Sequence, residues 1–270
     1  MPLTDPPSLE MAVPIVAGAE PFYHDGGPTG MLLCHGLSGS PAAMRPWADY
    51  LAAAGLTVDV PLLPGHGTTW QELNTTRWPD WYGAIERSLL RLADRCAQVL
   101  IGGLSMGGCL ALRLAQTHGD VVSGLVLVNP AIATWDKRRF LLPVLHRVVP
   151  SLFVLTGDIA KPGQDEVAYD RNPLRALHSL TLLWRLVVAD LPRVTQPLLI
   201  FRSEQDHIVD ARSLRLIQSR VSSTEVTVVS LGDSYHVATL DYDAEKIFAG
   251  SLELVRRLAP ATQDGGSSVA

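Results

Sequence analysis

Cysteine is scarce in this chain. Three occur among 270 residues, Cys34, Cys96 and Cys109, an odd number with no Cys-x-x-Cys pair. That argues against a disulfide framework and against a cysteine zinc site, so no metal is expected. Positive charge is also short. Lys and Arg total 22 against 27 Asp and Glu, a net charge of −5. Nucleic-acid binding needs a basic surface to neutralise phosphates, so no nucleic-acid partner is expected. Long hydrophobic runs are missing too: no uninterrupted stretch reaches the ~18 residues of a membrane span. The greasiest segment, 140–155, is broken by His146, Arg147, two prolines and Ser151. The first ten residues have neither the basic nor the apolar region of a signal peptide. The expectation is a cytoplasmic protein, at most peripheral to a membrane.

What is present is enough for a globular core. Hydrophobic residues make up 47% and charged residues 18%, which excludes a disordered chain. A chain of this length buries about three quarters of its unfolded surface without metal or disulfide. The tails, 1–10 and 261–270, are rich in Pro or in Gly and Ser and are expected to be disordered.

Between them, short apolar runs alternate with helical patterns. Strands are expected at 31–34, 56–61, 98–102, 124–129, 198–202 and 225–231. Helices are expected at 41–54, 80–95, 106–118, 211–220 and 243–258. Ser40-Pro41 is a helix start, with a capping hydroxyl followed by proline at the first helical position. Gly55 is the matching stop. In 80–95, Trp81, Ile85, Leu89 and Leu92 recur at helical spacing. Such alternation predicts an α/β fold, a mostly parallel central sheet with helices on both faces. Residues 131–190 break the rhythm and far exceed a simple crossover. They are read as an inserted helical cap over the C-terminal edge of the sheet, where open α/β sheets bind ligands. The chain is thus one domain, a core of about 18–130 and 191–260 with a cap at about 131–190.

One motif carries chemistry. Gly103-Leu104-Ser105-Met106-Gly107 is G-x-S-x-G between an apolar strand and a helix pattern, the context that this motif requires. The tight turn lifts the Ser105 hydroxyl clear of the sheet. It also aims a helix N-terminus, and the Met106 N–H, where negative charge would develop. A serine hydroxyl is a weak nucleophile and needs a base. On this turn an acid and then a histidine follow later in the chain. Candidates stand in that order. Ser203-Glu204-Gln205-Asp206-His207 follows a buried strand, with Asp206 favoured over Glu204 and Asp210. Of the eight histidines, His236 alone lies between the final strand and the final helix. A second oxyanion donor belongs after an early strand, which points to the Leu37 N–H in His35-Gly36-Leu37-Ser38-Gly39. His35 and His66 are read as loop buttresses.

These residues resemble the α/β-hydrolase superfamily. More narrowly, they look like the bacterial monoacylglycerol lipase and thermostable carboxylesterase group, over most of residues 18–258. The resemblance rests on His35-Gly36-Leu37-Ser38-Gly39-Ser40-Pro41, Gly65-His66-Gly67-Thr68, the Ser105 motif, Asp206-His207-Ile208-Val209 and Ser234 to Asp243. It implies a triad of Ser105, Asp206 and His236 with oxyanion donors from Leu37 and Met106. It implies no cofactor and a small lipid ester as substrate, such as a monoacylglycerol. In Glu166-Val167-Ala168-Tyr169-Asp170, Glu166 matches a glutamate that meets glycerol hydroxyls, and Leu155 falls where the family carries an apolar lid residue. Asn129, closing the 124–129 strand, is grouped with them as a substrate-binding candidate. Apolar residues at 140–155 could line an acyl tunnel or touch lipid aggregates. A general carboxylesterase, a C–C bond hydrolase and a non-catalytic ligand receptor share the same fold and triad.

Overall fold

The structure is a computed structural model that describes residues 13–153 and 157–259. Its central sheet is built from β1 (Phe22–His24), β2 (Thr29–Cys34), β3 (Thr57–Val60), β4 (Gln98–Leu104), β5 (Val122–Val128), β8 (Leu198–Ser203) and β9 (Val226–Leu231). The order is β1-β3-β2-β4-β5-β8-β9. All pairs are parallel except β1 with β3. The inner strands read Met-Leu-Leu-Cys, Val-Leu-Ile and Leu-Val-Leu-Val because both faces are covered. Their alternation then sorts side chains to opposite sides. Leu32, Cys34, Leu125 and Leu127 join one cluster, with Trp81 and Ile85 of α3 (Trp78–Arg95) and with α4 (Met106–Thr117). Met31, Leu33, Val126 and Val128 join the other, with Trp47 and Leu51 of α1 (Arg45–Ala53) and with α8 (Ala244–Leu258). α7 (Arg212–Arg220) joins β8 to β9.

Expected and observed elements differ in instructive places. The helix after Ser40 opens as a 3-10 turn, Pro41–Met44, before α1 begins. The Ser40 hydroxyl accepts the Ala42 N–H at 3.3 Å, as a cap should. α3 starts two residues early because Asp80 reaches back to the Arg77 N–H at 2.8 Å. β1 and α2 (Trp70–Leu73) have three and four residues, too short to show periodicity.

The 131–190 segment is not purely helical. It contains α5 (Leu142–Val148) and α6 (Leu174–Asp190), but also β6 (Ser151–Phe153) paired antiparallel with β7 (Arg171–Pro173). A three-residue strand whose partner lies twenty residues away leaves no local signal. Among the described residues, no helix is long and apolar enough to cross a membrane. The expected disordered tails, 1–10 and 261–270, lie outside the described residues, as does Leu155.

Candidate active site

β4 ends at Leu104, Ser105 turns the chain, and α4 begins at Met106. The turn is strained: Ser105 has φ 57° and ψ −116°, a region that costs a non-glycine residue of order 1–3 kcal/mol. Close packing enforces it. A Cβ at Gly107 would collide with the Cys34 carbonyl of β2, and one at Gly103 with the Gly107 carbonyl. The Ser105 N–H donates to the Val128 carbonyl, and its own carbonyl accepts from Ala131, each at 3.0 Å. The elbow is therefore tied to the exit of β5. Met106 is the first residue of α4, so no turn of the helix can use its N–H.

Asp206 follows the end of β8, and its side chain is fully buried. One carboxylate oxygen accepts the N–H groups of Ile208 and Val209, at 2.9 and 2.8 Å. The other accepts from Arg202 at 2.6 Å. His236 follows β9, and its Nδ1 lies 3.1 Å from both oxygens. Burial pushes the Asp206 carboxyl up. The hydrogen bond and charge of His236, the Val209 N–H and Arg202 outweigh that and hold it below the usual carboxylate range. With Nδ1 donating to Asp206, Nε2 is left as the acceptor that a base requires. Ser105 and His236 line the same cavity. Among the described residues Ser105 Oγ is not hydrogen-bonded to the imidazole, and such bonds often tighten only around substrate.

That cavity encloses about 590 Å³. Gly36, Leu37, Ser38 and Ser105 form its floor, while Leu142, Leu145, Leu177 and Trp184 come from α5 and α6. Leu37 is half-buried there, as placed by His35 and His66 behind it. The two imidazoles meet edge to face at 4.9 Å, and His66 meets Trp81 likewise at 5.7 Å. His35 accepts the Leu63 N–H at 3.3 Å and donates to the Gly36 carbonyl at 2.9 Å. Burial lowers the His35 pKa to about 3 and the His66 pKa to about 4. Both rings are neutral supports for the loops at 35–39 and 63–67.

Glu166 is buried and lines the cavity beside Ser38 and Gly39. Its Oε1 accepts the Gly157 N–H at 3.0 Å, and its carbonyl accepts the Ser40 hydroxyl at 3.3 Å. Burial pushes its carboxyl up, more than the Gly157 N–H offsets. The next residue, Val167, sits at φ 49°, strained for a β-branched side chain. Tyr169 then pins the segment: its hydroxyl bridges the Gly65 carbonyl and the Thr68 N–H, each at 3.0 Å. Asn129 requires a correction. It is fully buried at φ 44° and does not face the cavity. Its Nδ2 donates to the Ser203 hydroxyl and to the His236 carbonyl, each at 2.9 Å, and its Oδ1 accepts the Ser203 N–H at 2.9 Å. The amide holds the histidine loop and is sealed from the cavity by burial. Among the described residues, no group of three or more His, Cys, Asp or Glu is arranged to hold a metal.

A family model described as serine aminopeptidase, S33, matches residues 29–243, from β2 to the start of α8. The chain belongs to the serine aminopeptidase S33 family. Within the α/β-hydrolase fold it is similar to a thermostable monoacylglycerol lipase of Bacillus sp. (strain H-257), 41% identical over 91% of this chain and 98% of that one. It is also similar to a carboxylesterase of Bacillus subtilis (strain 168), 24% identical over 90% and 98%. Among solved structures it resembles one described under "LipS and LipT, two metagenome-derived lipolytic enzymes", at TM-score 0.87 and 36% identity, covering 90% of this chain and 100% of that chain.

Several residues of this S33 member escaped the sequence reading because only the fold gives them a purpose. Arg202 backs Asp206, Ser203 donates to the Tyr235 carbonyl at 2.7 Å, and Asp241 accepts the Tyr235 N–H at 2.9 Å. Asp158 accepts the His236 N–H at 3.1 Å. Arg202 had a faint signal, as a charge four residues ahead of Asp206 in an otherwise apolar strand.

Proposed function

We propose that this protein is a carboxylic ester hydrolase that cleaves monoacylglycerols and related short-to-medium esters through an acyl-enzyme. The observation that carries the reading is His236 Nδ1 held between both oxygens of buried Asp206, with the ring lining the cavity that Ser105 also lines. The similarity to a monoacylglycerol lipase at 41% identity supports the substrate class. A cavity walled by leucines and Trp184, with Glu166 and Ser38 as a polar end, suits an acyl chain joined to a polyol better than a peptide.

In this mechanism the Ser105 oxygen attacks the acyl carbonyl while His236 Nε2 takes its proton. Asp206 keeps Nδ1 protonated and stabilises the imidazolium. The Leu37 and Met106 N–H groups receive the oxyanion, each donor contributing on the order of 3 kcal/mol at the transition state. His236 returns the proton to the leaving glycerol oxygen, and the ester bond breaks. Water, deprotonated by His236, then releases the fatty acid and restores Ser105. Glu166 receives the glycerol hydroxyls. No cofactor takes part. Phe140, Leu141, Val144 and Val148 are exposed on the 131–190 segment, beside Lys137. We place this face against lipid aggregates or a membrane surface during substrate uptake.

The test is hydrolysis of a 1-monoacylglycerol series beside p-nitrophenyl butyrate, for wild type and S105A. Preference for monoacylglycerols together with a dead S105A is expected. Cleavage of the nitrophenyl ester alone would leave a general carboxylesterase, and an active S105A would overturn the assignment of the nucleophile.

A further inference from the structure

Every backbone polar group of the Tyr235–His236 dipeptide is held by a side chain. The Tyr235 N–H goes to Asp241 and its carbonyl to Ser203. The His236 carbonyl goes to Asn129, and its N–H donates to Asp158 Oδ2 at 3.1 Å. Asn129, Ser203 and Asp241 stand at strand ends or ahead of α8, on the body of the fold. Asp158 alone comes from the chain between β6 and β7, over the cavity.

The Asp158 side chain is only 14% exposed and both oxygens are engaged. Oδ2 also accepts the His207 backbone N–H at 3.2 Å, and Oδ1 lies 2.7 Å from His207 Nδ1. Contacts run the other way as well. The Val237 N–H donates to the Asp158 carbonyl at 3.1 Å, and the Ala160 and Lys161 N–H groups donate to Asp241 at 2.7 and 2.9 Å. One carboxylate thus touches His236 itself and the residue that follows Asp206. The preceding residue, Gly157, donates its N–H to Glu166. A single peptide separates the group facing the polar end of the cavity from the group holding the histidine.

We propose that Asp158 is the positioning residue through which the 131–190 segment sets the placement of His236. The inference rests on the hydrolase reading above. Among the described residues the imidazole is hydrogen-bonded only to Asp206, at Nδ1, and its backbone is held by the side chains named above. Without the Asp158 anchor the 235–236 peptide plane can tilt, and the far nitrogen, Nε2, swings most. A displacement of about 1 Å at a reacting atom can cost roughly a hundredfold in rate. Substrate bound against Glu166 thereby draws on the same strap that holds the base in place.

The experiment compares wild type, D158A and D158N in kcat and KM for p-nitrophenyl butyrate, in amide hydrogen exchange at His236, and in thermal unfolding. In D158A, kcat falls by roughly ten- to a hundredfold, KM changes little, and exchange at His236 accelerates. D158N recovers most of kcat and of the protection. Its Oδ1 accepts both N–H groups, and its Nδ2 donates to His207 Nδ1 in the other tautomer. If D158A does not fold, D158S replaces it in all three measurements. Wild-type kcat and exchange in D158A, or a D158N as impaired as D158A, overturns the proposal, and so does a loss confined to thermal stability. A wild type that cleaves no ester defeats the hydrolase reading instead, and the exchange at His236 still decides whether Asp158 anchors it.

Discussion

The Asn129 amide and the His236 carbonyl meet at 2.9 Å, joining the end of β5 to the loop after β9 across the end of β8. Asn129 reaches that position only at φ 44°, a left-handed conformation that asparagine tolerates better than most residues. N129A removes the donor for His236 and the partner of the Ser203 N–H. Each buried group left unsatisfied costs about 1–3 kcal/mol. We expect N129A to lower the unfolding free energy by that order in urea titration and to reduce kcat, with KM for a small ester nearly unchanged.

Ser105 carries the strain of the elbow. Glycine accepts φ 57° without cost, whereas alanine does not. S105G and S105A therefore both abolish ester hydrolysis but differ in stability. S105G should unfold at a higher temperature than wild type, by the equivalent of about 1 kcal/mol, while S105A stays near it. An S105G that melts below S105A would show that the turn stores no strain, because the greater unfolded-state entropy of glycine would then be unopposed.

His35 and His66 make stability depend on acid. Their folded pKa values, about 3 and about 4, lie below the ordinary 6.5. Below pH 6.5 the unfolded chain takes up protons that the folded one refuses, so stability falls as pH drops. The loss continues until each folded pKa is reached. Each group contributes at most about 1.4 kcal/mol per pH unit. The unfolding free energy, measured from pH 7 to 4, should decline by up to about 3 kcal/mol per unit, and H35Q should reduce that slope by about half.

Glu166 has the opposite linkage. Burial raises its folded pKa above 4.5, so its contribution to stability is full below that value and is lost as pH rises through the folded pKa. E166Q removes the penalty and should be the more stable protein at neutral pH. It should also lose more kcat/KM on a monoacylglycerol than on p-nitrophenyl butyrate, because only the former offers glycerol hydroxyls. Equal losses on both substrates would remove Glu166 from glycerol recognition.

Much of this molecule was legible in one dimension. The parallel sheet follows from apolar runs such as 98–102 and 124–129, whose residues must be covered on both faces. The strand-to-helix turn at Ser105 was legible because strand, Gly-x-Ser-x-Gly and helix are contiguous. The meeting of Asp206 and His236 was legible because each lies just past a recognisable strand, on the rim where parallel strands end. What only the tertiary structure decided is how these rims are held. Asn129, Ser203, Asp158 and Asp241 are remote from one another in sequence and converge on two residues, 235 and 236. No pattern of spacing distinguishes a polar side chain that faces substrate from one that satisfies a buried peptide, and Asn129 proved to be the second kind. The β6–β7 pair escaped for a similar reason. Its hydrogen bonds join residues twenty apart, so its stability is a property of packing over the cavity rather than of either three-residue string.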